Sequence, residues 1–385
     1  YLLRPYEGHF LAGWRWVYLV QLRAFGLAPL PWHLCILVLH GVGAWLLFDL
    51  LRRWWNDAWA ALLSAGWWAT AAIGGWDNPL LWPASGLIVH GLVWLLAAMN
   101  CQARWAAGGS IAFLIGVGVC VSLGVLMWGP ILPLSVVLPL QALLLDRLPL
   151  RSRRAAGSGL AWLLPFVGLA LFQAAILRST GLPASFRAES LLDLGSVVRC
   201  IVAQSHAALV HLLGLGPVSL VDWPSALALG GTIAAVGGIA LLPGAQRQVL
   251  LVFLILALTH LIAGRAFRGD LPVAAALGWG RYLFVASLFW AVAAGAMLAA
   301  IRTWSIGLKL RTGLSLVCSL LVLLAAGRQI PLAQNAAANL QQLADAELPF
   351  IQESRSAVSE LNELARLRHQ VLRVPDIPLD IPPAL

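Results

Sequence analysis

Long apolar runs, punctuated by short basic stretches, dominate the chain from residue 32 to residue 328. A helix needs about 20 residues to cross a hydrocarbon core of about 30 Å, and in lipid every backbone amide must be bonded within its own segment. Windows of that length mark about ten candidate spans, at 32–51, 58–76, 82–100, 106–127, 130–146, 157–178, 224–243, 249–265, 281–301 and 311–328. The short alternating strands of a barrel are not seen. The expected fold is therefore all-α: a polytopic transmembrane helical bundle, with amphipathic helices on its outer face.

Three regions are expected: an interfacial segment at 1–31, the bundle at 32–328 with a long outer loop at 179–223, and an outer-face tail at 329–385. Residues 9–29 mix Trp, Phe and Leu with Arg15 and Arg23, a pattern that suits a helix in the headgroup region. Residues 190–218 alternate apolar and polar positions and allow two readings, another interfacial helix or a short span. Around 352–373, Val358, Leu361, Ala365 and Leu372 recur at helical spacing, and the Pro-rich PDIPLDIPPAL that follows cannot continue a helix.

The loops alternate in charge. Those with Arg52/Arg53, Arg104, Arg147/Arg151/Arg153/Arg154, Arg247 and Arg302/Lys309/Arg311 fall on one side when the ten spans are threaded in turn. The positive-inside rule makes that side cytoplasmic. If 190–218 spans, every later loop changes sides and the agreement is lost.

Composition supports a membrane protein. Of 385 residues, 61% are hydrophobic and 11% charged, with a mean hydropathy of +0.85; no soluble domain of this size could cover its surface with so few polar residues. Net charge is +9, carried by Arg except for Lys309. In a membrane protein this excess reads as topology and anionic-lipid contact, not nucleic-acid binding. The Arg-for-Lys, Ala/Leu/Gly-rich composition suits a GC-rich bacterial genome, hence a bacterial inner membrane. The five cysteines show no CxxC pair and no Cys/His ligand spacing, which argues against a disulfide framework or a structural metal. The chain starts at Tyr1 and is expected to lack its native N-terminus.

Phosphate-binding loops, nucleophile elbows and zincin motifs are absent, which argues against an ATPase or a metalloprotease. His33 and His40, seven apart on one helical face, and His90 suggest a proton relay, or equally neutral imidazoles bonded to neighbouring helices. Asp49 and Asp146 sit beside basic residues and read as ion-paired helix ends. On the outer face Glu7, Asp77, Asn78, Glu189, Asp193, Asp222 and Asp270 share a compartment with Arg4, Arg178, Arg187, Arg265, Arg268 and Arg281. Guanidinium forks bind phosphates and a carboxylate can activate an attacking hydroxyl, so this set suits chemistry on a phospholipid-like sugar carrier. Solvated loops in contact with headgroups are the plainer alternative.

Several stretches, in order, resemble the GT-C superfamily of polytopic membrane glycosyltransferases, in particular the subgroup around the protein O-mannosyltransferases and their bacterial relatives. RPYEGHF resembles the subgroup's Arg-Pro motif after the first outer loop, and PWHLCILVLHGVGAWLLFDLLRRWW its next helix. GGWDNPLLWPASGLIV takes the place of the second outer loop, with Asn78 four before Trp82 where the subgroup carries an acid. VLMWGPILPLSVVLPLQALLLDRL resembles paired short helices broken at Pro133 and Pro139, and GRYLFVASLF the Arg-Tyr entry into a late helix, at Arg281 and Tyr282.

The resemblance covers about residues 1–300 and implies a polyprenyl-phosphate sugar donor, an outer-loop catalytic acid and a divalent cation such as Mg or Mn. In the family the main catalytic Asp would lie upstream of Tyr1; Asp77 and Glu7 are the acids nearest the motifs. Arg281, Arg265, Arg268, Arg4, Asn78 and Tyr282 are the expected substrate-binding residues. Asn78 also motivates the alternative of a catalytically inactive GT-C-like structural subunit of a larger membrane complex, which nineteen Trp residues would help to pack against lipid and other membrane subunits. A transporter would need more polar residues at mid-membrane than these spans offer.

Overall fold

The structure is a computed structural model that describes residues 11–26, 29–71, 80, 86–149, 151–180, 193–213, 237, 242–267, 280–304, 307–331, 334, 335 and 338. Every regular element among them is helical. In order these are α1 (Ala12–Phe25), α2 (Pro29–Trp55), α3 (Ala58–Ala69), α4 (Gly86–Ala106), α5 (Ile111–Met127), α6 (Ile131–Leu134), α7 (Val137–Leu144), α8 (Arg153–Thr180), α9 (Leu194–Leu212), α10 (Gly244–Phe267), α11 (Gly280–Thr303) and α12 (Leu308–Pro331).

Six helices among the described residues are long and apolar enough to cross a membrane: α2, α4, α8, α10, α11 and α12. The ten expected spans are thus not all met. α3 has 12 residues and α5 has 17, and the span expected at 130–146 is broken into α6 and α7. The span expected at 224–243 and the amphipathic tail at 352–373 lie outside the described residues.

The break follows from sequence. Pro133 and Pro139 each remove a backbone donor, and the chain turns between the two short helices at Ser135 and Val136. Ser135 is buried, donates its hydroxyl to the Leu132 carbonyl at 2.7 Å and accepts the Trp162 indole N–H at 2.9 Å. Two buried glutamines fasten α7 to α4: Gln102 donates to the Leu138 carbonyl at 2.5 Å and Gln141 to the Met99 carbonyl at 2.9 Å. Each amide thereby bonds a carbonyl of the facing helix instead of sitting unsatisfied in an apolar layer.

Close approaches give the helix directions. Ile36, Gly43 and Leu46 of α2 meet Gly86, Val93 and Asn100 of α4, so these two run parallel. Along α3 and α11 the pairs are Asp57 with Arg302, Ala60 with Gly295 and Ser64 with Ala291, so these run antiparallel. A Cβ on Gly295 would come within 2.7 Å of Ser64 Cβ and 3.0 Å of the Ala60 carbonyl; the absent side chain is what lets the backbones meet. α11 is the central helix, 83% buried over its membrane-length window, whereas the windows of α8 and α12 are 6% and 11% buried. Their exposed leucines face where lipid would be.

α9 resolves one open reading. It packs along α11, where the Trp290 indole donates to the Ser205 carbonyl at 2.8 Å. At its C-terminal end the Leu212 carbonyl takes the Trp67 indole N–H at 2.9 Å and the Gln329 amide at 2.8 Å. Leu213 reaches the level of Ala294 to Leu298, one to two turns short of Arg302. Thus α9 lies inside the bundle, parallel to α11, and stops part-way along it. The later basic residues still gather with the earlier ones: Arg302 pairs with Asp57 at 2.9 Å, and Arg311 bonds the Arg302 carbonyl. α1 also packs on the bundle, with Gly13 against Leu126 and Trp14 buried.

Candidate functional site at the end opposite the arginine cluster

Several described arginines already have structural work. At the end of α2 the buried Asp49 carboxylate receives Arg52 at 3.0 Å, Arg53 at 2.9 Å and Arg104 of α4 at 3.3 Å. Arg104 also lies over the Phe113 ring, and Arg154 over Trp105, whose carbonyl it bonds. Asp57 caps α3 by accepting the Trp59 and Ala60 amides, both at 3.1 Å, while holding Arg302. The expectation of an ion-paired helix end holds for Asp49. Asp146 differs: its carboxylate accepts from Gln141 Nε2 at 3.2 Å, with Trp54 and Gln102 also beside it, and no ion pair to it occurs among the described residues.

Three of the expected site residues, Arg265, Arg281 and Tyr282, fall at the opposite end. Arg265 lies in the last turn of α10, and Arg281 and Tyr282 in the first turn of α11. These helices pack on each other. The ring contacts of His260 with Trp128 and of His40 with Phe284 put both helix ends on the side away from Asp49. The backbone therefore brings Arg265 and Arg281 to the same end of adjacent helices. At the start of α11 the unpaired amides of the first turn add a partial positive charge, which favours an anion. Arg4, Glu7, Asp77, Asn78 and Arg268 lie outside the described residues. Among those described, no group of three or more His, Cys, Asp or Glu is placed to hold a metal. The two candidate catalytic acids, Asp77 and Glu7, lie outside the described residues, and no step is built on a divalent cation.

Just inside this end lies a layer of histidines. His40 is buried edge-on to Trp68, with ring centroids 4.5 Å apart, and tilted against Phe284 at 5.5 Å. The Trp68 and Ala69 carbonyls, at the C-terminal end of α3, lie beside its ring. His90 meets Trp14 at 5.3 Å, and His260 meets Trp128 at 5.4 Å. Each of the three thus sits against a different tryptophan. Nothing in the sequence singles out His260. Its partner Trp128 is 132 positions away along the chain, and only the folded bundle makes them neighbours.

No protein-family model, curated protein or solved structure matches this chain.

Proposed function

We propose that this chain is a GT-C-like glycosyltransferase of a bacterial inner membrane, which moves a sugar from a polyprenyl-phosphate carrier to an acceptor on the periplasmic side. The observation that carries the reading is the convergence of Arg265 and Arg281 on one end of two packed helices. That end is opposite the cluster in which Arg52, Arg53, Arg104 and Arg302 are held by Asp49 and Asp57. A guanidinium at the mouth of a span can bond two phosphate oxygens while its stem stays in the apolar layer. In this role Arg281, with Arg265, Arg268 and Arg4, holds the carrier phosphate, which leaves as an anion when the acceptor oxygen attacks the sugar carbon. An outer-loop carboxylate, with Asp77 and Glu7 as candidates, takes the acceptor proton. Asn78 and Tyr282 complete the expected substrate contacts.

The test is transfer by purified protein supplied with a polyprenyl-phosphate sugar. Arg281→Ala is expected to lower the rate by about a hundredfold, the size of a lost charge-assisted contact to a developing anion. Full transfer by that variant would remove Arg281 from the phosphate site. No transfer by the unaltered chain with any such donor would remove the enzymatic reading.

A further inference from the structure

A cavity of about 170 Å³ lies between α3, α11 and α12, with Leu213 of the segment after α9 in its wall. The wall is apolar except at Ser64 and Cys318, and the Ser64 hydroxyl is already bonded to the Ala291 carbonyl at 2.8 Å. Water in a cavity needs two to four polar partners, which this one lacks. Its volume equals about six waters at about 30 Å³ each, room for a stretch of hydrocarbon chain. α12 borders the slot and leaves most of its residues exposed, so the slot can fill sideways from the bilayer.

Depth decides what fills it. The slot begins at Leu298, one turn from Arg302, and extends to Ala294; at about 1.5 Å per residue that is about 6 to 12 Å from the guanidinium level. On α12 it is bordered by Cys318 and Leu321, seven and ten residues past Arg311. At that end of α11 and α12 lie Arg311, on the same face of α12 as Cys318 and bonded to the Arg302 carbonyl at 3.3 Å, the exposed Lys309 two residues before it, and exposed Trp304, a residue type favoured at headgroup level. Arg302 is balanced by Asp57, whereas among the described residues no carboxylate pairs with Lys309 or Arg311. Towards the opposite end, the terminal carbonyl of α9 is tied to Trp67 and Gln329. A chain anchored near Arg281 would have to pass that closure to reach the slot.

We infer that the slot and its cationic mouth form one site for an anionic phospholipid of the leaflet at the arginine end, with an acyl chain between α3, α11 and α12 and the phosphate at Lys309 and Arg311. The site is separate from the carrier site proposed above and would exist whether or not the chain is an enzyme.

The experiment is native mass spectrometry of the full chain, delipidated in mild detergent and titrated with phosphatidylglycerol or phosphatidylcholine of identical acyl chains. Phosphatidylglycerol should bind about thirtyfold more tightly, as two cations near a surface each contribute about 1 kcal/mol. Lys309→Gln with Arg311→Gln should bring it down to the phosphatidylcholine level. Cys318→Trp, which fills the slot, should weaken both lipids by about tenfold, while Leu324→Trp on an exposed stretch of the same helix should change neither. If Cys318→Trp does not fold, protection of wild-type Cys318 from a maleimide by phosphatidylglycerol, read on its peptide, replaces it. Equal lipid retention by the two Trp variants, no headgroup preference, no protection, or displacement of the phospholipid by polyprenyl phosphate would each overturn the assignment.

Discussion

At one end of the bundle Asp49 is ringed by Arg52, Arg53 and Arg104; toward the other, His40, His90 and His260 lie against Trp68, Trp14 and Trp128. Of the four described carboxylates, Asp49, Asp57 and Asp146 belong to the first end and Asp193 caps α9. The first end also holds eleven cationic side chains, from Arg52 to Arg311. Around its buried carboxylate Asp49, the side chains of Arg52, Arg53 and Arg104 are 36 to 50% exposed and so reach solvent. In the histidine layer a lone charge would be costly, and each ring packs against an aromatic partner instead. Polarity next to an apolar core is met by ion pairing at one end and by aromatic packing of the imidazoles at the other.

Asp49→Ala breaks this contrast hardest. It leaves three guanidiniums facing each other without their anion. A fully buried pair so broken costs about 3–5 kcal/mol, and hydration of these arginines should reduce that to about 2–3 kcal/mol. The readout is the thermal unfolding midpoint in detergent, and no change would mean that the cluster contributes orientation only. Gly295→Val comes next, because the added methyls meet the Ala60 carbonyl and cannot be relieved by side-chain motion; a loss of about 1–3 kcal/mol is expected on the same assay.

Asp57 offers a finer test. Asp57→Ala removes the α3 cap and the partner of Arg302, with an expected cost of about 1 kcal/mol. Asp57→Asn keeps a capping oxygen and drops only the exposed ion pair, so it should cost less than about 0.5 kcal/mol, and that cost should vanish in high salt. His40→Phe should have the smallest effect, within about 1 kcal/mol, since the ring contacts to Trp68 and Phe284 survive. A much larger loss would show that the polar ring nitrogens beside the Trp68 and Ala69 carbonyls, more than the ring contacts, hold the top of α3.

Much of the fold was legible because membrane helices leave a strong signal: apolar windows located α2, α4, α8, α10, α11 and α12 to within a few residues. The division between α6 and α7 was legible through Pro133 and Pro139, since a missing amide acts locally. The burial of α9 was not, because its mixed pattern fits a membrane surface as well as a bundle interior; Trp67, Trp290 and Gln329, which satisfy its carbonyls, come from three distant segments. Of the candidate site, only the helix-borne part at Arg265, Arg281 and Tyr282 can be placed, at the ends of α10 and α11.

Sequence alone determined that this protein is all-helical and that its basic loops share one end, because both follow from the cost of bare amides and of charge in hydrocarbon, whatever the neighbours. Tertiary structure alone decided that Asp49 gathers Arg104 from 55 residues away, that each of three histidines meets its own tryptophan, and that α9 ends within the bundle beside an apolar slot. Those outcomes depend on which helix faces pack together, and packing is a property of pairs of segments that no single window of the chain contains.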